Sequence, residues 1–191
     1  MPPQAKFTRT EIIQKALEIV RTEGMDKITA RELGNRLNSS ARPIFTVFES
    51  MEEVKQEVVI QAKECYREYI ERGLGEKLAF RGVGTAYITF AIEEPKLFAL
   101  LFMQPQAECG DVTQILPAID DSYEKILRSV QEPYGLGRAT AEKIYQHLWI
   151  YTHGIASMCV ANVCRYSMQD LTDRMTEIFK SLLEAAKRGE I

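Results

Sequence analysis

Apolar residues recur at intervals of three and four along most of the chain, which is the period of a helix with one buried face. In the N-terminal third this pattern predicts a first helix over residues 10–23, with its buried face formed by Ile12, Ile13, Ala16, Leu17 and Val20. A second, short helix is predicted over residues 30–37, and a third begins after Ser40 and ends by Phe48. A fourth helix over residues 51–71 would be ~32 Å long, enough to link an N-terminal domain to a second one.

Helix starts in this region are marked by a hydroxyl residue followed three positions later by glutamate. In such a capping box the two side chains satisfy each other's free backbone amides. The pairs are Thr8 with Glu11, Thr29 with Glu32, and Ser50 with Glu53. Ser40 is a candidate cap for the third helix, because Pro43 then falls inside the first turn, where a missing N–H costs little.

Residues 28–53 thus combine two brief helices with a tight polar turn, Asn38-Ser39-Ser40. Two such short helices bury almost nothing alone, so their main use is to present the second one to a groove. Ile44 and Phe48 lie four residues apart and are expected to anchor this second helix in the core. The pattern predicts a helix-turn-helix unit whose partner is the major groove of double-stranded DNA.

The remainder of the chain is predicted to be helical as well. Helices are expected over residues 78–93, 95–103, 115–131, 140–162 and 171–186, with loops at 104–111 and 131–137. The helix over 140–162 is apolar on two faces, one of which includes Ile144 and Leu148 and the other Tyr145 and Trp149. A helix with two apolar faces needs two covers. We therefore expect it to pair with the helix over 171–186 across a two-fold axis in a homodimer.

Composition and charge narrow the classes of function. No apolar run approaches the ~20 residues needed to span a bilayer, and residues 1–10 lack the apolar core of a signal peptide, so a cytoplasmic protein without a membrane partner is expected. Residues 1–50 hold eight Lys and Arg against six Asp and Glu, although the whole chain has a net charge of −3. The four cysteines show no metal-ligand spacing, so neither a metal site nor a cofactor is expected.

Specific residues resemble the TetR family of bacterial transcriptional regulators. The N-terminal resemblance rests on Ile28-Thr29-Ala30-Arg31-Glu32-Leu33, Ser40, Ile44-Phe45, Phe48 and Ser50-Met51-Glu52-Glu53-Val54. Glu94-Pro95-Lys96-Leu97-Phe98, Leu101-Phe102 and Trp149-Ile150-Tyr151-Thr152-His153-Gly154 are similar to the ligand-binding half of one branch of that family. The resemblance implies an all-α protein of about nine helices, with a helix-turn-helix domain at residues 6–66 and a ligand-binding and dimerisation domain at 72–191. It also implies a homodimer that binds a palindromic operator and is released by a small-molecule inducer.

The chain departs from the family pattern in the segment that contacts DNA. Asn38-Ser39 replaces the usual Gly-Val of the turn, and Phe45-Thr46-Val47-Phe48 lacks a phenol that commonly contacts a phosphate. Glu49 and Met51 stand where family members often carry lysine. Fewer phosphate contacts predict a weaker and less salt-dependent affinity for non-specific DNA.

Candidate site residues follow from the motif and from the resemblance. The DNA-facing set is Thr29, Ser40, Ala41, Arg42, Pro43, Phe45 and Thr46, with Arg42 as the candidate base reader. The ligand-binding set, for an apolar or aromatic inducer, is Tyr66, Tyr87, Phe98, Phe102, Met103, Trp149 and His153. Any one of these aromatic residues could equally be packed core, and His153 could be a hydrogen-bonded core histidine.

Three classes of function remain open. The favoured one is a ligand-responsive repressor. The alternative is a TetR-like helical interaction protein with weakened or lost DNA binding, a reading motivated by Glu49, Met51 and the acidic balance. An enzyme is not expected, because neither His147 nor His153 accompanies a recognisable nucleophile motif.

Overall fold

The computed structural model describes residues 6–105 and 110–191. These residues form nine α-helices and no strand, which confirms the predicted all-α fold. The helices are α1 (Arg9–Glu23), α2 (Ala30–Arg36), α3 (Met51–Leu74), α4 (Ala79–Glu93), α5 (Pro95–Phe102), α6 (Val112–Ile119), α7 (Tyr123–Tyr134), α8 (Arg138–Val160) and α9 (Met168–Lys187). None of the helices in the described ranges is long and apolar enough to cross a membrane.

The predicted helix starts are confirmed, although only one of the three predicted capping boxes, that of α1, is complete. At α1 the backbone N–H of Thr8 donates to the carboxylate of Glu11 (2.8 Å), and Thr8 Oγ1 accepts from the N–H of Glu11. The hydroxyl oxygens of Thr29 and Ser50 accept from the backbone three residues on, at 3.1 and 3.2 Å. The reciprocal bonds are missing there because the glutamates at positions 32 and 53 bind other donors.

The predicted third helix, from Ser40 to Phe48, is wrong in its form. Only Ile44–Thr46 is helical, as a 3₁₀ turn in which the amides of residues 44–47 each donate to the carbonyl three positions earlier. Pro43 explains the difference, because it lacks the N–H through which the third position of an α-helix would bond to a cap at Ser40. Ile44 and Phe48 are nevertheless buried, as expected for the core anchors of this segment.

The chain divides into two compact units, which are described separately. The N-terminal unit runs to Cys65 and also includes Glu94–Gln104, so it contains α1, α2, the first part of α3 and α5. Helix α5 packs on α1, with Leu97 fully buried and Glu94 paired with Arg21 at 3.0 Å. This division differs from the predicted boundaries of 6–66 and 72–191, which placed α5 with the C-terminal helices.

The C-terminal unit comprises Tyr66–Glu93 and the chain from Pro105 onward. Helix α4 packs against α7, α8 and α9, and α8 packs against α9. The end of α3 approaches α4 closely, since a Cβ atom added at Gly73 would lie 2.6 Å from the carbonyl oxygen of Gly82. The core of this unit is formed mainly by the buried faces of α4, α7 and α8, to which α9 adds Leu171 and Met175.

The predicted helix over residues 115–131 is in fact two helices, α6 and α7. The break falls at Asp120, whose carboxylate accepts a hydrogen bond from the backbone N–H of Ser122 at 2.8 Å. Helix α7 continues past the predicted loop start at residue 131 and ends at Gly135, which has a φ of 61°. Residues 106–109 of the predicted 104–111 loop lie outside the described residues.

Candidate functional site

The predicted DNA-facing residues lie between the start of α2 and the end of the 3₁₀ turn in the N-terminal unit. Thr29, Ser40, Arg42, Phe45 and Thr46 are exposed, whereas Ala41 and Pro43 are half-buried. The ring of Phe45 is 48% exposed, which is unusual for a large apolar side chain. The segment therefore exposes hydroxyl, guanidinium and aromatic groups, while the buried side chains of Ile44 and Phe48 anchor it in the core.

The arginines in and around this segment differ in whether their guanidinium groups are paired. The guanidinium of Arg9 lies 4.3 Å from the ring centroid of Phe48 and is paired with Glu53 and Glu57. Arg36 is paired with glutamates as well. The guanidinium of Arg42, in contrast, has no hydrogen bond or ion pair with the described residues. Arg42 is thus available for an external partner such as a phosphate or a base edge.

The C-terminal unit contains a cavity of about 570 Å³. Its lining comes from the end of α3 and from α4, α7, α8 and α9, together with Asp120. Four buried lining residues that carry a carboxyl or phenol group are here called the cavity floor: Tyr66, Tyr87, Asp120 and Tyr145. Four exposed cations that also line the cavity are called the cavity mouth: Lys77, Arg81, Arg128 and Lys180. The volume suits a small organic molecule.

A buried carboxylate lies at the cavity floor. The hydroxyl of Tyr66 donates to Asp120 Oδ2 at 2.8 Å, and Oδ1 accepts from the backbone of Ser122. Burial raises the pKa of Asp120, against the effect of these two hydrogen bonds, and the negative charges of Asp121 and Glu71 raise it further. The floor therefore holds a buried acid that makes no ion pair with the described residues.

The phenols around Asp120 respond to the same environment. Burial, and after it the charge of Asp120, raises the pKa of Tyr66, Tyr87 and Tyr145 well above the ordinary value of a phenol. All three tyrosines are therefore neutral hydroxyl groups at any physiological pH. The proton of the Tyr66 hydroxyl is already donated to Asp120, so these phenol oxygens can accept hydrogen bonds from a ligand, and the rings can present faces or edges to it.

Three aromatic residues form a second group at the cavity wall. The rings of Tyr87 and Trp149 lie 6.5 Å apart, and His153 stacks on Trp149 with 4.8 Å between centroids. The Tyr87 hydroxyl lies 2.9 Å from His153 Nδ1, and burial lowers the pKa of His153. Of the predicted ligand-binding residues, Tyr66, Tyr87 and Trp149 line the cavity, and His153 contacts two cavity-lining side chains.

Three other predicted ligand-binding residues belong to the N-terminal unit and do not line this cavity. Phe98 is fully buried beside Phe102, with ring centroids 5.2 Å apart, and Met103 is 44% exposed. Their helix, α5, packs on α1 within the N-terminal unit. The apolar pattern of α5 correctly predicted a buried helix but did not identify its packing partner.

Sequence reasoning missed several cavity residues. Asp120 and Tyr145 lie at the floor, and Met175 and Phe179 of α9 also line the cavity. The polar run Asp120-Asp121-Ser122 inside an otherwise apolar stretch was the available signal for Asp120. It marks a helix break, and a polar break between two buried helices places its side chains against the core.

Comparisons with known proteins agree with this architecture. A family model described as "Tetracyclin repressor-like, C-terminal domain" matches residues 80–186, which is more than half of the chain. A solved structure titled "Structural analysis of fatty acid degradation regulator FadR from Bacillus halodurans" is similar with a TM-score of 0.56. That similarity covers 91% of this chain and 93% of the other at 14% identity, so it shows a shared fold. No curated protein matches the sequence significantly. Together with the family match, the helical architecture establishes that the chain belongs to the TetR family of transcriptional regulators.

Proposed function

We propose that this protein is a ligand-responsive repressor that binds a palindromic operator as a homodimer. A small molecule in the C-terminal cavity would lower its affinity for the operator. The observation that carries this proposal is the cavity of about 570 Å³ inside the unit that matches the family model. A cavity of this size with a mostly apolar lining is typical of a small-molecule site.

Helix α3 offers a route from the cavity to the DNA-facing segment. It is continuous from Met51 to Leu74, and Tyr66 in its second half lines the cavity. Its first residue follows the 3₁₀ turn by only a few positions. A ligand can reduce operator affinity only if it binds better to the state in which α3 holds that turn away from the DNA. Contact with Tyr66 would supply such a preference.

The proposed DNA contacts are those of the exposed segment in the N-terminal unit. Arg42 is the proposed base reader, because its guanidinium is unpaired and a guanine edge accepts two hydrogen bonds from arginine. The hydroxyls of Ser40 and Thr29 are suited to phosphate oxygens, and Phe45 is suited to apolar contact with a thymine methyl group.

The proposed dimer interface uses α8 and α9. Ile150 of α8 is 53% exposed, and a Cβ atom added at Gly154, one turn further on, would meet nothing within 4 Å. On α9, Ile178 and Leu182 are only half-buried within one chain. An apolar strip of this kind is favourable when a second copy covers it. Dimerisation would place the DNA-facing segments of the two subunits roughly 34–36 Å apart on the operator, which is one turn of the duplex.

One observation favours the alternative of an interaction protein with weakened DNA binding. The part of the DNA-facing segment that was expected to be an α-helix is a 3₁₀ turn of three residues. Glu49 adds a negative charge close to this turn in the sequence. A shorter element reaches fewer base edges, and an acid near the phosphates opposes binding.

A gel-shift experiment decides between the two functions. DNA from the region beside the protein's own gene is titrated with the full chain, and a scrambled fragment of the same length serves as the control. A repressor gives a discrete complex with the first fragment at concentrations that leave the second unbound. Equal binding of both fragments, or of neither, would favour the interaction protein.

A further inference from the structure

Asp120 at the cavity floor is a carboxylate with spare capacity to bind a ligand. A carboxylate offers about four lone-pair sites, and two are taken by the hydroxyl of Tyr66 and the N–H of Ser122. Asp120 makes no ion pair with the described residues, and the charges that act on it most strongly are those of Asp121 and Glu71. A ligand group with N–H donors and a positive charge would fill the remaining lone-pair sites of Asp120 and also neutralise its charge.

Aromatic rings surround this carboxylate. Tyr66 and Tyr87 meet edge to face with centroids 6.0 Å apart, and Tyr145 lies at the same floor. The face of an aromatic ring attracts a cation, most strongly where water is excluded. A carboxylate set among phenol rings is therefore a suitable site for an ammonium group.

Much of the remaining lining is apolar. Phe80 packs against Phe179 and Tyr145, at centroid distances of 5.6 and 6.0 Å, and Leu148 and Met175 continue the wall. A hydrocarbon or aryl group attached to the ammonium would lie along these side chains. The apolar wall thus accounts for the rest of an amphipathic ligand.

We propose that the ligand of this cavity is a primary amine with an apolar or aryl body, whose ammonium group binds Asp120 among the three tyrosines. This inference rests on the proposed small-molecule function and specifies its chemistry. The mouth cations do not oppose it strongly, because Lys77, Arg81, Arg128 and Lys180 are exposed and their charges are screened by water and salt. Asp120 is only 6% exposed, so water and salt screen its attraction for a bound ammonium group only weakly.

The test uses three probes that share one body: 4-phenylbutylamine, 4-phenylbutan-1-ol and 4-phenylbutyrate. Binding to the full chain is measured at about pH 7 by calorimetry and by the fluorescence of Trp149, the only tryptophan. The amine is then charged, and we expect it to bind at least roughly tenfold more tightly than either the alcohol or the carboxylate. Preferential binding of the carboxylate would assign ligand recognition to the mouth cations and overturn the proposal, as would failure of the amine to bind.

Substitutions at the cavity locate the selectivity. Asp120→Asn should weaken amine binding at least about tenfold while changing alcohol binding less than about twofold, because only the amine uses the charge. Asp173→Asn is the matched control, since Asp173 is an exposed aspartate of α9 that does not line the cavity. An amine preference that survives Asp120→Asn, or that is lost in Asp173→Asn, would contradict the assignment of Asp120.

Operator binding separates this proposal from the proposed function. If the amine binds through Asp120 but leaves the gel shift unchanged, the ligand class stands and the ligand-controlled repressor fails. If a compound without an amine releases the operator and the amine does not bind, the repressor stands and the amine proposal fails.

Discussion

The indole ring of Trp149 stacks on the imidazole of His153, with 4.8 Å between the ring centroids and 12° between the ring planes. The Nδ1 atom of that imidazole also lies 2.9 Å from the hydroxyl oxygen of Tyr87. Trp149 and Tyr87 line the cavity, so His153 contacts two lining residues although it is not itself part of the lining. We therefore expect the indole to respond to the protonation state of His153.

We expect the fluorescence of Trp149 to fall as His153 gains a proton, because an imidazolium in ring contact quenches an indole more strongly than a neutral imidazole. Burial lowers the pKa of His153, so the midpoint of the transition should lie below the ordinary value of about 6.5. Steady-state emission of the ligand-free protein is recorded across the acid range while circular dichroism verifies that it remains folded.

The two histidines of the chain supply a matched pair of variants for this titration. His153→Gln should abolish the transition, whereas His147→Gln should preserve it, because His147 is exposed. A transition that persists without His153 would show that another group controls the indole.

Replacement of Arg42 by alanine tests the proposed base contact. Loss of a bidentate arginine contact should cost ~1–3 kcal/mol of operator binding and relax the preference at one base position. Affinity for the operator and for its single-base variants is measured by fluorescence anisotropy at fixed salt. Arg138→Ala, which removes an exposed cation of the C-terminal unit, should leave both unchanged. Arg42 has no such role if the alanine variant binds as tightly and as selectively as the wild type.

Most helices were predictable because their signals are local. Thr8 with Glu11 marked the start of α1, and Pro95 marked the start of α5. The form of the DNA-facing segment was not predictable in detail. Its candidate cap at Ser40, its polar turn and its two apolar anchors are compatible with an α-helix as well as with a 3₁₀ turn. The balance there is decided by Pro43, whose missing N–H removes one cap bond.

The cavity was predictable only in part because helical periodicity identifies a buried face without identifying its neighbour. Tyr66, Tyr87 and Trp149 line one cavity, whereas Phe98, predicted from the same apolar pattern, packs in the other unit. Asp120 is buried by residues far away in sequence, as its bond to Tyr66 across 54 positions illustrates. No local pattern contains that information.

A charge introduced at Ile150 tests the proposed dimer. Wild-type protein at micromolar concentration should sediment as a dimer, and Ile150→Asp should raise the dimer dissociation constant at least ~tenfold, because a buried unpaired carboxylate is costly at an interface. Ile92→Asp is the control, since Ile92 is a similarly exposed isoleucine on α4. Monomeric wild-type protein, or equal effects of the two substitutions, would argue against α8 as the interface.

The last prediction concerns the stability of the ligand-free protein. Burial raises the pKa of Asp120 above its ordinary value of 3.8, so the folded state holds this proton more tightly than the unfolded state does. Stability must therefore decline as pH rises from 3.8 through the raised pKa, and the full cost is present above it.

Asp120→Asn removes that cost and keeps the hydrogen bonds, because the amide oxygen can accept from Ser122 and the amide nitrogen can donate to the hydroxyl oxygen of Tyr66. We expect the variant to melt roughly 2–4 °C higher than the wild type at neutral pH, which corresponds to about 1 kcal/mol for a chain of this size. The difference should vanish in acid, where the wild-type carboxyl is neutral in both states. Asp173→Asn, at an exposed aspartate of α9, should show no such dependence. Thermal unfolding followed by circular dichroism over a series of pH values measures both variants, and a variant less stable than wild type at neutral pH would mean that the charge of Asp120 is compensated within the fold.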